Sequence, residues 1–259
     1  MTTTPFLTAS DLALTPQQVE QFHAEGFLAP LRALEPREME SLRPRIEAVL
    51  AQDPPDHKSP LHNRHLDSPL VWDLATSPAI IAAMKSVAGE DLLLWRTNFF
   101  RKDPGDREIP WHQDRNYWPL EPEIVVSAWI AIDPSTVENS CVQVLPGTHR
   151  RIVPHVKAPP TMVFRQMADP EAVDLSNKVD VELEPGQFML FNERTMHHSE
   201  PNRSGRRRIG LAIRVIIPMV RVLEFDSPNH RIMQISGEDR LGFNPHVDPP
   251  MEGASSRDQ

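Results

Sequence analysis

From Leu92 to Ile217 the chain is written as five short runs of aliphatic, β-branched and aromatic residues: LLLWRTNFFRK, IVVSAWIAI, CVQVLPGTH, VELEPGQFMLF and RIGLAIRVII. Pro, Gly, Asp and Asn set them apart, and no helical spacing intervenes. Each run must therefore bury its apolar residues against another strand rather than a crossover helix, which restricts the segment to an antiparallel sandwich or jelly roll. The first 89 residues read differently. Thr15-Pro16 looks like an N-cap with proline at the first helical position, leading into VEQFHAEG and stopping at Gly26. Helical spacing returns over Glu35 to Leu50 despite Pro44, and again over Val71 to Ala88, as one helix or two short ones ended by Gly89. A polar, proline-rich loop separates these from Pro54 to Pro69. The expected architecture is mainly β with helical additions. One domain fills residues 1–259: a mostly helical part (1–89) packed on the sheet, a β core (90–220) and a tail of loop and turn (221–259) whose last ten residues are poorly ordered.

Composition removes several function classes. A net charge of −9 leaves no basic face for nucleic acid, and Arg206-Arg207-Arg208 alone is too short a tract. The single cysteine, Cys141, excludes an internal disulfide and any zinc site built from several cysteines; it reads as a small buried hydrophobe. The N-terminal MTTTPFLTASDLALTPQQ lacks a basic region followed by an apolar one, and the longest apolar stretch, Ile213 to Val222, is broken by Arg214, Pro218 and Arg221. The expectation is a soluble cytoplasmic protein without a membrane partner.

The chemistry-bearing residues begin with His112-Gln113-Asp114. In extended chain, residues two apart point to the same side, so an imidazole and a carboxylate can converge on one metal. His197, a short turn beyond the run GQFMLF, is the best third ligand, although His198 would serve as well on chemistry alone. Two histidines and a carboxylate on one face of an octahedron leave three positions open, which suits Fe(II) oxygen chemistry. A lone His-x-Asp is common by chance. Its weight comes from an arginine 11 residues after His197, on the following strand, where a basic group could anchor a dicarboxylate reductant beside the metal.

Three segments carry a family resemblance. LWRTNFFRKDPGDREIPWHQD, SAWIAIDPSTVENSCVQVLPGTHR and LEPGQFMLFNERTMHHSEPNRSGRRRIGLAIR, with the tail ISGEDRLGF, resemble in order and spacing the phytanoyl-CoA dioxygenase family of iron and 2-oxoglutarate enzymes. The resemblance implies a double-stranded β-helix (jelly-roll, cupin-like) core and Fe(II) held by His112, Asp114 and His197. It also implies that Arg208, aided by Ser199, holds the distal carboxylate of 2-oxoglutarate, with Trp129 and Asn98 beside the co-substrate. Ser199 and Asn202 fall in the family's register when His197 is the ligand, and the same register selects Arg208 over Arg206 and Arg207. Arg presents a planar fork for two parallel bonds to a carboxylate, which Lys does not. Gln187 and Ser140 depart from the family's usual Asp and Gly at turns. The implied reaction consumes O2 and 2-oxoglutarate, releases succinate and CO2, and oxidises a C–H bond. Because Asp114 is a carboxylate where related halogenases carry Ala or Gly, hydroxylation or another oxidation is expected over halogenation.

The substrate is the least legible part. Trp111, Arg115, Tyr117 and Trp118 flank the ligand loop, where aromatic faces could hold a ring or an ammonium group; plain packing is an equal reading for the tryptophans. Arg214, six residues past Arg208, shares its face and either meets an anionic group of a small-molecule substrate or neutralises Asp133 or Glu182. His57, His62 and His65 read as part of a mobile loop over the substrate mouth, and His149 and His155 as solvated surface. The competing classes are a zinc or manganese hydrolase on the same triad, which has no use for Arg208, and a non-catalytic jelly-roll binding protein, which would not keep the whole set.

Overall fold

The computed structural model describes residues 12–54, 59–223 and 231–251. Four α-helices lie among them: α1 Pro16–Glu25, α2 Pro36–Leu50, α3 Pro69–Ala75 and α4 Pro78–Ala88, each with proline in its first turn. Proline is cheap there because the N–H it lacks has no acceptor within the helix. Thr15 and Gln18 close a capping box on α1, and Gly26 ends it at φ 82°. The apolar stretch from Val71 resolves into two helices, broken where Ser77 caps α4.

The strands are β1 Phe27–Arg32, β2 Leu92–Lys102, β3 Ile109–His112, β4 Leu120–Glu121, β5 Val125–Ala131, β6 Val142–Leu145 and β7 His155–Lys157, then β8 Gln166–Ala168, β9 Val179–Val181, β10 Gln187–Asn192, β11 Met196–Ser199, β12 Arg208–Ile216, β13 Arg221–Val222 and β14 Met233–Ser236. A six-stranded sheet runs β1-β10-β5-β12-β2-β14 and faces a four-stranded sheet, β3-β11-β6-β9, with every pair antiparallel. This is the expected jelly roll. Ile209, Leu211, Ile213 and Val215 of β12 point outward and pack with Met39, Ile46, Val71, Ile80 and Met84 of the helices. Trp129, Met189, Phe191 and Ala212 point inward and meet Val142 and Val144 of the small sheet. With both faces of the large sheet covered, its central strands carry continuous apolar runs instead of a polar–apolar alternation.

Both edges of the large sheet fall in segments read as something else. Strand β1 lies in the part expected to be helical, and its FLAPLR pairs with β10. It contains Pro30, which an edge strand tolerates because one side of its backbone needs no ladder partner. Strand β14 lies in the expected tail and pairs with β2; four residues are too few to register as a period. All but the first two of the last ten residues lie outside the described residues, as does His57. The described part of the 54–69 loop is packed rather than poised over a mouth. Asn63, Arg64 and His65 are buried; Arg64 donates to Val49 O (2.5 Å) and Gln52 O (3.0 Å) and pairs with Asp67, while His65 Nδ1 meets Thr97 Oγ1 at 2.9 Å.

The turn entering β10 is locked by Gly186, at φ 84°, whose missing Cβ would lie 2.2 Å from the Leu34 carbonyl oxygen. Ala33 and Leu34 also donate their N–H groups to Gly186 O. A Gly186→Ala substitution therefore meets both a left-handed backbone and a main-chain clash, and should cost about 2–4 kcal/mol. Urea unfolding followed by far-UV circular dichroism is expected to give a lower midpoint with an unchanged slope.

Candidate metal centre

Two strands of the small sheet and the loop after one of them build the centre. His112 closes β3, and its direct cross-strand partner is His197 of β11, so the imidazoles face one another with ring centroids 4.1 Å apart. Asp114 starts a short 3-10 turn, Asp114–Tyr117, and returns its carboxylate to the same point. One ligand atom from each of His112, Asp114 and His197 lies within 4.8 Å of the others, a set able to hold a metal ion. The ring orientations are fixed from behind. His112 Nδ1 donates to Pro110 O (2.7 Å) and His197 Nδ1 to Thr195 O (2.9 Å), which leaves each Nε2 as a lone pair turned inward.

Gln113, fully buried between the two ligands of the loop, ties three segments together. Its side-chain amide donates to Arg151 O (2.8 Å) and Arg194 O (2.6 Å), and its Oε1 accepts from Val153 N (2.9 Å). Its backbone N–H donates to His155 Nε2 (3.2 Å), whose Nδ1 donates to Val153 O (2.9 Å). His155 is thus a strut behind the loop and not solvated surface. His149, likewise half-buried, reaches His23 O at 3.2 Å beneath α1.

The electrostatics suit a cation. Burial would raise the Asp114 carboxyl, but Arg214, His112 and His197 outweigh it and hold the group well below the usual carboxylate range. Burial, then the neighbouring His112, push His197 down to about 4, so its imidazole is neutral and available as a ligand near pH 7.

A second constellation stands on the inner face of the large sheet. Arg208 is 1% exposed, with its guanidinium 5.3 Å from the centroid of the Trp129 ring. It donates to Ser140 O, while its Nε is buried without a hydrogen-bond partner. Burial lowers Arg208 to about 10, still charged at neutral pH. Gly210 makes room for the stacking, since a Cβ there would sit 2.0 Å from the Trp129 ring. Lys102, paired in register with Arg208, is buried and donates to Ser140 Oγ (3.0 Å), Ser199 Oγ (2.8 Å) and the carbonyls of Ser199 (3.0 Å) and Glu200. Because Ser199 Oγ accepts from Lys102, its own proton is free to donate elsewhere. Ser140 stands at φ 75°, which explains why glycine is usual at that turn, and its hydroxyl is used twice, by Lys102 and toward Glu200 O. Gln187 has a local role too, accepting from Glu184 N at 2.9 Å.

Arg208, Ser199, Trp129, His112, His197 and Arg214 all line one cavity, with Phe100 and Phe164 among its walls. The remaining expected residues divide. His198 also lines the cavity, but its ring is held by Gln143 (2.9 Å) and Glu108 (2.9 Å), which leaves His197 as the histidine that joins His112 and Asp114. Arg206 pairs with Glu138, and Arg207 with Asp133 and Glu47, leaving Arg208 as the arginine turned inward. Asn98 faces inward beside Ala212 with a buried, unpartnered Oδ1. Trp111 stacks on His198 (4.9 Å, 11°) because alternation along β3 turns it away from His112. Arg115 is engaged with Glu123 and does not line the cavity. Tyr117 approaches His112 edge-on at 5.8 Å and donates to Gln166 O, and Trp118 packs against Trp95. Arg214 meets Asp114 (3.5 Å), not Asp133 or Glu182: Asp133 is held by Arg43 and Arg207, and Glu182 accepts from Val137 N. Cys141 is buried, as expected, and burial pushes its thiol up to about 12.

Two neighbours of the site escaped the sequence reading, Lys102 behind Ser199 and Phe164 in the cavity wall. Lys102 was findable, since alternation from Asn98 through Phe100 puts it on the inner face. Phe164, 4.8 Å from the His112 ring, lies in an irregular stretch with no period to reveal it.

A jelly roll with two histidines and a carboxylate facing a buried, half-satisfied arginine defines a metal-dependent oxygenase-type site. The sequence profile "Phytanoyl-CoA dioxygenase (PhyH)" matches residues 7–210, and the chain belongs to that family. A relative named "Dioxygenase lolE1", from Epichloe uncinata, is 29% identical over 136 residues, 52% of this chain and 50% of that one. The chain spans about half the length of the first curated relatives it matches. Among solved structures, the non-heme monooxygenase ThoJ in its apo form superposes with a TM-score of 0.75 at 26% identity, covering 90% of this chain and 88% of ThoJ. "CytC3 with Fe(II) and alpha-ketoglutarate" superposes at 0.73 and 24% identity, covering 92% and 95%, a likeness of fold.

Removing the Gln113 amide frees the loop that carries His112 and Asp114 without touching either ligand. Gln113→Ala should weaken Fe(II) binding by roughly 10–100-fold, as loss of an outer-shell support typically does. Competition against a chelating dye measures it; unchanged affinity would show that the loop holds its shape unaided.

Proposed function

We propose that the protein is an Fe(II)- and 2-oxoglutarate-dependent dioxygenase that oxidises an unactivated C–H bond of a small molecule bearing an anionic group. The observation that carries this reading is the shared cavity. Two residues of a triad able to hold a divalent metal, His112 and His197, line the same cavity as a buried arginine with an unpartnered Nε, and Asp114 completes the triad beside them. The two imidazoles and the ionised Asp114 carboxylate fit Fe(II), and Arg208 with the free proton of Ser199 fits the distal carboxylate of 2-oxoglutarate. Iron and 2-oxoglutarate, when bound, supply the oxidising power, with O2 and 2-oxoglutarate converted to succinate and CO2 while one oxygen atom is available for the substrate. The protein's own work is positional. His112 and His197 keep Nε2 inward, Lys102 orients Ser199, and Phe100, Phe164 and Trp129 wall the cavity with apolar surface. Asp114 fills the carboxylate position, which favours oxidation over halogenation. The small-molecule reading also draws on relatives such as the ectoine dioxygenase of Nocardia farcinica, and Arg214 in the cavity supports the anionic group.

The hydrolase reading is weaker, because a metal-bound water needs no buried guanidinium several ångströms of strand away. Anaerobic addition of Fe(II) and 2-oxoglutarate to metal-free protein separates the two. The visible charge-transfer band of the chelate is expected in the parent. It should be absent in His112→Ala and should need at least about tenfold more 2-oxoglutarate in Arg208→Ala, the loss of one charge-assisted, hydrogen-bonded anchor. A parent that gives no band and binds zinc tightly would point to hydrolysis.

A further inference from the structure

The inner face of the large sheet presents its side chains in rungs across β2, β12 and β5. Lys102 and Arg208 make the first; Phe100, Gly210 and Ala131 the second; Asn98, Ala212 and Trp129 the third; Arg96, Arg214 and Ser127 the fourth. The fourth rung sits roughly 20 Å along β12 from Arg208, at 3.4 Å per residue. Two arginines occupy directly paired positions on it, an arrangement that like-charge repulsion disfavours. One carboxylate answers both. Asp114 is 3.5 Å from Arg214 Nη2, and it also belongs to the metal triad. Nε of Arg96, Nε of Arg214 and Oγ of Ser127 are all buried without a hydrogen-bond partner. Aromatic faces hold both forks in place: Arg96 lies over Trp95 (5.3 Å), and Arg214 over Trp118 (5.0 Å) and Phe100 (5.9 Å). Such a row is unfavourable for folding alone and becomes balanced when an oxyanion joins it.

We propose that Arg96, Arg214 and Ser127 form a clamp for a carboxylate of the substrate, distinct from the Arg208 end that suits the co-substrate. The assignment rests on the oxygenase reading and deepens it by naming the substrate as a carboxylic acid. Two guanidinium groups against one carboxylate leave a single positive charge, which matches a monoanion. Each planar fork can take a carboxylate edge in parallel bonds, and the Ser127 hydroxyl adds a third donor. The lowering of Arg96 to about 10, by burial and then by Arg214, reflects the same crowding. Trp118, itself packed edge-on against Trp95, is the surface on which Arg214 lies.

The probe is acetate, small enough to enter any carboxylate clamp. Anaerobic protein with Fe(II) and one equivalent of 2-oxoglutarate is titrated with sodium acetate, against sodium chloride at matched ionic strength. The thermal midpoint and the visible band are both followed. A saturable rise in midpoint with acetate beyond that with chloride is expected. Arg96→Met should weaken the acetate response by about tenfold or more while keeping the 2-oxoglutarate band, and Arg96→Lys should restore part of it. Without acetate, Arg96→Met should melt at or above the parent's midpoint, whereas an arginine with a purely structural part would lower it. Acetate no better than chloride, or an unchanged response in Arg96→Met, overturns the clamp. Saturation by inorganic phosphate with acetate inert overturns the carboxylate assignment. A missing band in the parent would instead sink the oxygenase reading, and the thermal titration, which needs no iron, would then decide the clamp by itself.

Discussion

Cations buried between two sheets are the constraint to which the rest of the structure answers. Arg208 and Arg214 stand on a strand whose nine residues are all buried, and Lys102 and Arg96 stand opposite them on β2. Charge in such a place costs several kcal/mol per group unless something replaces water. For Lys102 the replacement is two hydroxyls and two carbonyls around the amine, yet burial, then Arg208, still lower the amine to about 7. For Arg208 it is half made, one carbonyl and one aromatic face. For Arg96 and Arg214 it is smaller still. Of these, Arg208 and Arg214 line the cavity, so part of the deficit lies where a ligand can correct it.

The stabilisation that offsets this deficit comes from the other side of the same sheet. Every second residue of β12, from Ile209 to Val215, is aliphatic and packs beneath helices α2, α3 and α4. The N-terminal helices are therefore not an appendage to a β domain. They bury the outer face and allow the inner face to remain polar. Strands that are covered on both sides lose the alternation that marks an ordinary amphipathic strand, and β5 reads as VVSAWIA with all seven residues buried. Only the breaks in apolar character, Ser127 on β5 and Arg208 and Arg214 on β12, reveal which way the pleat turns.

That asymmetry explains what could be read in advance. The jelly roll was legible because turn residues divide the runs, and the triad because His-x-Asp and a distant histidine carry a known spacing. The choice of His197 over His198 followed from the register implied by family resemblance, and the structure supplies a physical counterpart in the pairing of His197 with His112 and of His198 with Gln143. The edge strands β1 and β14 were not legible: one is six residues with a proline, the other four residues, and both owe their form to the strand beside them. His155 and His65 were misread as surface or loop because nothing local to a histidine says what will pack over it. Arg115 looked like a cavity residue by its place next to Asp114, but the 3-10 turn at Asp114 rotates it toward Glu123.

The two sheets divide the labour. The small sheet and its loop supply the neutral and anionic groups that suit a metal, and the large sheet supplies cations that suit carboxylates. The two sets depend on each other: Asp114 is kept ionised partly by Arg214, and among the described residues Asp114 is the carboxylate paired with Arg214. Gly210 sits at the centre of this arrangement, for its lack of a side chain lets the Trp129 ring lie across β12 and carry Arg208 on its face. A methyl group at that one position would displace the ring, and with it the guanidinium and the wall of the cavity. The position of the Arg208 guanidinium is thus set by an absence on β12, as much as by the charge that β12 carries.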